Sequence, residues 1–194
     1  MAASGITIRR KGRAKAVIMY LKVVVSAPLN GNVRPMATRI GDIYAVEVAP
    51  GRVKVFHHVV NDATQLGSNV IRAFTPVISA DSLPEQMAAL DGEVDFYAHT
   101  LCALGIKLGF WRKVGHQKPH QEVTVWFRDS NDYGNPNIKV SNDWWVWKVG
   151  QKSKRIGPLS PQYKNSEIGI VFSAPAIVSR LRTGNYGIVY PAYE

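Results

Sequence analysis

Residues Arg52–Val60, RVKVFHHVV, alternate along the chain, and that two-residue period limits the fold more than any other feature of the sequence. A period of two turns successive side chains to opposite faces of an extended strand. Val53, Val55 and His57 share one face; Lys54, Phe56 and His58 share the other. Upstream, Ala49-Pro50-Gly51-Arg52 is a turn, because proline and glycine supply the backbone angles of a tight reversal. Before it comes IYAVEV, so the three pieces predict a hairpin. Similar short runs recur as SNVIRAFTPV, which weakens at Pro76, the start of VDFYAHTLCALGIKLGFWRKVG, EVTVWFR, NIKV, WWVWKVG and EIGIVF, with turn formers between them. The tail NYGIVYPAY reads as a closing edge strand, and Lys152–Arg155 as a loop.

Two helices interrupt this pattern. The first is expected over about 82–91, where Ser82 can cap, Pro84 suits the first turn and Asp91-Gly92 ends it. The second runs from Ser173 to Gly184, with Pro175 in its first turn and Ile177, Val178 and Leu181 on one stripe. Arg180 and Arg182 fall in its last turn, where positive charge favours the helix end. Gly105, Gly109 and Gly115 argue against one long helix through 101–115. The expected fold is mostly β (α+β): a twisted antiparallel sheet or partly open barrel with two short helices at its margins.

The charge of +10 is unevenly placed. Residues 1–35 hold seven of the 24 Lys and Arg and none of the 14 Asp and Glu, so the body carries 17 against 14. The organisation expected is therefore a basic, apolar leader over 1–35 and one mostly-β domain over 36–194. The leader runs RRKGRAK and then AVIMYLKVVVSAPL, the order of a signal peptide, yet Lys22 breaks the apolar core and Pro28 follows the small-residue site. An added strand and a stretch upstream of the true start at Met36 are further readings; a dispensable leader is the one adopted. Its apolar part falls short of the roughly 20 residues of a membrane span.

Candidate sites are few. The single Cys102 lies in TLCALGI and reads as a buried, inert thiol. His57 and His58 face opposite ways, and His116 and His120 are flanked by Gly115 and Pro119, so neither pair suits a metal and no cofactor is expected. G-x-S-x-G, H-E-x-x-H and phosphate-cradling glycine motifs are missing from the sequence. What remains is surface recognition. Trp144, Trp145 and Trp147 fall within four residues, with Trp144 opposing the other two; tryptophan exposed at an interface dominates binding energy. Core packing is the competing use of such residues. Asp91, Glu93 and Asp95 form one acidic group, and Asp129, Asp132 and Asp143 the acids of another stretch.

Three stretches, RIGDIYAVEVAPGRVKVFHHVVND, FRDSNDYGNPNIKVSNDWWVWKVG and EIGIVFSAPAIVSRLRTGNYGIVYP, together resemble bacterial immunity proteins of polymorphic toxin systems, of the immunity protein 26 type, over residues 39–190. The resemblance implies a cytoplasmic, non-catalytic protein that binds and blocks one cognate protein toxin. A toxin that cuts nucleic acid has a basic site, which calls for an acidic matching patch. The partner-binding residues expected are Trp144, Trp145, Trp147, Asp129, Asp132 and Asp143. The alternative is a nucleic-acid-binding β domain using the basic leader, the Lys152–Arg155 stretch and the tryptophans. A third reading, an enzyme using His57, His58 or His99, would need those side chains to line a pocket.

Overall fold

The computed structural model describes residues 37–83, 93–120 and 122–193. The leader and residues 84–91 of the helix expected over about 82–91 lie outside them. Eleven strands are described: β1 Asp42–Ala49, β2 Arg52–Asp62, β3 Ser68–Phe74, β4 Ile78–Ser79, β5 Val94–Thr100, β6 Arg112–His116, β7 Trp126–Ser130, β8 Trp144–Lys148, β9 Lys154–Gly157, β10 Glu167–Ile168 and β11 Val171–Phe172. Two helices accompany them, α1 Cys102–Lys107 and α2 Ala174–Thr183, with a 3₁₀ turn at Pro161–Tyr163.

The strands form two open sheets. The large one runs β11-β5-β3-β2-β1-β6, with β4 beside β2, and the small one β10-β7-β8-β9. The hairpin read from the alternation is β1–β2, paired Tyr44 with Phe56 and Ala45 with Val55. One face of the large sheet packs on α2, through Tyr44, Phe56, Ile71, Phe96, Ile177 and Leu181. The other face meets the small sheet, where Val59 and Val70 bury against Phe127 and Trp147. Period-two patterning thus serves two cores at once.

Four expectations are corrected. The sheets are mixed, because β11 lies parallel to β5 and β10 parallel to β7. EIGIVF is two strands, one in each sheet, joined through Gly169. A Cβ at Gly169 would stand 2.1 Å from Trp147 Cη2, so the chain crosses between sheets against the indole where only glycine fits. NIKV and the tail are not strands; they meet in one parallel bridge, Val140 with Ala192. The 154–157 segment, expected as loop, is the edge strand β9.

Helix α2 follows the expected plan: Pro175 near its start, Arg180 and Arg182 in its last turn, and Gly184 closing it. Ser173 holds the N-cap position without a side-chain cap bond. Cys102 opens α1 rather than sitting in a strand; it is fully buried, and burial pushes its thiol up to about 12.

Candidate functional site

The β7–β8 hairpin ends in a long connection, 131–143, that is held by its own polar side chains. Asp132 Oδ2 accepts from Ser141 Oγ at 2.6 Å, and Ser141 Oγ lies 2.6 Å from Ser130 Oγ. Each hydroxyl has one hydrogen, so the chain of donation runs Ser130 to Ser141 to Asp132. Asp143 accepts from Asn131 Nδ2 at 2.6 Å and from Arg155 Nε at 2.6 Å. The C-terminal segment locks the outside: Ser141 N–H donates to Ala192 O at 2.9 Å, Ala192 N–H to Lys139 O at 2.8 Å, and Gly134 N–H to Val189 O at 3.1 Å. A loop tied at this many points is pre-organised, and loses little ordering entropy on binding.

Of the three aspartates at this end of the small sheet, Asp129 and Asp143 are shifted in opposite directions. Burial pushes the Asp129 carboxyl up to about 6, against the pull of its bond from Ser130 N–H. Arg155, then Asn131, hold Asp143 below its ordinary value. Burial and then the Asp129 charge raise the Tyr133 and Tyr190 phenols. Stretch 129–143 carries three acids and one base, a local excess of negative charge on a mildly basic body. Beside the carboxylates stand exposed apolar side chains: Tyr133 at 44%, Val140 at 43% and Val189 at 51%. The Tyr133 ring is backed by Tyr190 at 5.9 Å, which in turn packs on Trp144 at 5.9 Å.

Trp144 and Trp147 play a different part from the one expected. Trp144 is fully buried and Trp147 nearly so, which removes both from any contact surface. They do lie on opposite faces. Trp147 fills the space between the sheets with Phe127, while Trp144 packs with Val146 and Leu159 under the 158–163 segment and the tail. Trp145, cross-strand partner of Asp129, is half-buried. The exposed aromatic is Tyr133, which sequence reasoning passed over; its signal was a lone aromatic inside the turn-former run Ser130–Pro136. Of the other acids, Asp95 is engaged by Lys54 at 3.0 Å and Arg180 at 3.7 Å, Glu93 is exposed, and Asp91 lies outside the described residues.

Two further ionisable groupings lie inside the fold. Asp42, the aspartate of Gly41-Asp42-Ile43, is fully buried and takes Lys113 Nζ at 2.6 Å, His116 Nδ1 at 3.0 Å and Arg39 N–H at 3.1 Å. Burial works to raise its pKa, and these partners together outweigh it and bring it to about 2. Gly41 has φ of 100°, and a Cβ there would stand 2.7 Å from His116 Cε1, so the motif seats the start of β1 against the end of β6. The second grouping is Ser68, His99 and Asp62: Ser68 Oγ lies 3.0 Å from His99 Nδ1, and Asp62 Oδ2 3.9 Å from His99 Nε2. All three are buried, with His99 4.3 Å from the Phe127 ring, so the arrangement joins the sheets from within the core. Burial drives His99 down to about 4, with Asp62 opposing, which keeps the ring neutral near pH 7.

Among the described residues, no group of three or more His, Cys, Asp or Glu is placed to hold a metal ion, and no helix is long and apolar enough to cross a membrane. Comparison of the chain with family models, curated proteins and solved structures finds no match.

Proposed function

We propose that this chain is a non-catalytic cytoplasmic binding protein that neutralises a cognate bacterial protein toxin, docking through the 129–143 end of its small sheet. The observation that supports this reading is the stiffened 131–143 loop, which carries Asp132, Asp143 and the exposed Tyr133, with Asp129 near the end of β7 and exposed Val189 tied to the loop through Gly134 N–H. Apolar anchors ringed by charge are the usual energetic centre of a protein interface. Asp129 adds a chemical preference. Its carboxylate is poorly solvated, and a lysine or arginine arriving from a partner would supply the counter-charge it lacks. The matching toxin surface is therefore basic, as in enzymes that act on nucleic acid.

The test is a search of the neighbouring genes for a toxin, co-expression of the chain with it, and a binding measurement on the purified pair. The native chain should restore growth. Tyr133→Ala and Asp129→Asn should each weaken binding about tenfold or more, which corresponds to roughly 1.4 kcal/mol. Undiminished affinity in both variants would remove the loop from the interface; absence of rescue by the native chain would remove the toxin reading itself.

The nucleic-acid reading is weakened by the same geometry. Stacking needs open ring faces, and Trp144 and Trp147 have none. Arg155, in the basic stretch, is paired to Asp143.

A further inference from the structure

The face of the large sheet that meets the small sheet changes character at one row. Along β2 it reads Val53, Val55, His57, Val59, and along β3 Val70, Arg72, Phe74. Val53, Val55 and Phe74 belong to one buried apolar cluster, Val59 and Val70 to another. His57 and Arg72, cross-strand partners, lie between the two. Arg72 is in turn opposite Tyr97 on β5. Directly opposed residues on neighbouring strands have Cβ atoms about 5 Å apart, so the three side chains stand shoulder to shoulder across three strands.

Two polar atoms in this row have no partner. His57 is 2% exposed, and its Nε2 lies 2.7 Å from the Gln117 carbonyl oxygen. A carbonyl only accepts, so Nε2 carries the hydrogen and Nδ1 presents a lone pair. That Nδ1 is buried and bonded to nothing. Burial, with the Arg72 charge adding to it, holds the ring's pKa below its ordinary value, so Nδ1 stays an acceptor at neutral pH. Arg72 is half-buried, its guanidinium 5.1 Å from the Phe74 ring centre, and its Nε is buried without a partner. None of the ion pairs among the described residues includes it. Buried polar groups are satisfied nearly everywhere in folded proteins, and a cation pressed between apolar clusters is normally neutralised.

An orphaned acceptor beside an orphaned cationic donor defines a ligand with two properties. It must bring negative oxygens for the guanidinium and a hydroxyl hydrogen for the imidazole. We propose that the His57–Arg72–Tyr97 row binds a protonated oxyanion of the hydrogenphosphate type. Arg72 takes the charged oxygens through its planar fork, and His57 Nδ1 accepts the ligand's O–H. Sulfate has the same shape and charge but no hydrogen to give at neutral pH. The row therefore separates the two anions by chemistry rather than size: the unprotonated oxygen of sulfate would face the His57 lone pair.

The experiment is calorimetric titration of the full chain at pH 7, in a buffer free of both anions, with inorganic phosphate, a simple phosphate monoester and sulfate. At this pH inorganic phosphate keeps a hydroxyl, whereas the monoester is mostly a dianion without one. Saturable binding of inorganic phosphate, with the monoester and sulfate each roughly tenfold weaker or more, is the expected result and marks the free ion as the ligand. A monoester that binds as tightly as inorganic phosphate at pH 7 would overturn the role given to His57. Arg72→Gln should abolish the binding. In nitrogen-detected NMR of the native chain, the His57 Nδ1 signal should move with phosphate and stay with sulfate, which decides the matter even if the variant fails to fold. Equal, non-saturating responses to the two anions, an unmoved His57 signal, or unchanged binding by a folded Arg72→Gln protein would each overturn the proposal. None of these outcomes bears on the toxin reading, which uses a different surface.

Discussion

Asp129 and Asp42 are both withdrawn from water, yet burial prevails at Asp129 and raises it, while the partners of Asp42 prevail and lower it. Asp129 titrates near 6, above its ordinary 3.8. The unfolded chain gives up this proton first, so the folded state loses stability as pH rises from about 3.8 to 6 and stays lower above that. Asp129→Asn should therefore stabilise the protein at pH 7 by ~1–3 kcal/mol, with the gain gone at pH 3.5; urea denaturation at the two pH values measures it. The same variant should bind its partner less well, because the group that strains the fold is the one offered to the partner's cation. Asp42, at about 2, behaves in reverse. Its contribution is complete above about 3.8 and is lost as pH falls through 2. Asp42→Asn leaves Lys113 facing a neutral amide and should cost ~3 kcal/mol at pH 7 by the same assay. Neither difference is visible in the sequence, where each residue simply precedes or follows a turn. What separates them is the arrival of Lys113 and His116 from β6, more than seventy residues away.

At the scale of elements, legibility followed locality. β1, β2, β3, β5 and β8 and helix α2 were readable, since alternation, turn chemistry and capping all act within a few residues. β7 was found with its start set early: EVTVWFR begins before the strand, which opens at Trp126. β9 has no pattern of its own; it is a strand because β8 offers Trp145 and Val146 as partners to Arg155 and Lys154. The division of EIGIVF is set by Trp147, which the segment must skirt at Gly169. Gly169→Ala should accordingly cost ~2 kcal/mol or more, because the new methyl meets a ring that is itself packed. Trp147→Leu alone should cost ~3 kcal/mol, and pairing it with Gly169→Ala should cost less than the sum; chemical denaturation of the four proteins gives the coupling. The acids of the candidate site were legible as acids; Trp144 and Trp147 were legible as important but are covered, while Trp145 is half-buried. Composition reports that a ring is large; only the second layer of structure decides whether it is covered.

For the molecule as a whole, three buried histidines govern behaviour in acid. Burial lowers His57, His58 and His99, the last to about 4. Below about 6.5 the unfolded chain takes up protons that the folded core refuses, so stability falls with falling pH, and the His99 share is exhausted near 4. Asp129 works against this between about 4 and 6. Asp129→Asn should steepen the decline in that window by about one proton, ~1.4 kcal/mol per pH unit, as read from melting curves across pH. Phe172 and Ala192 set the order of assembly as well. The strand that borders β5, the strand that borders β7 and the tie across the 131–143 loop all come from residues 167–192. Pairings between distant parts of a chain form late, because their loops must close first. During synthesis, then, neither layer can finish until that last stretch has left the ribosome, and a nascent chain paused before it would present raw sheet margins to chaperones.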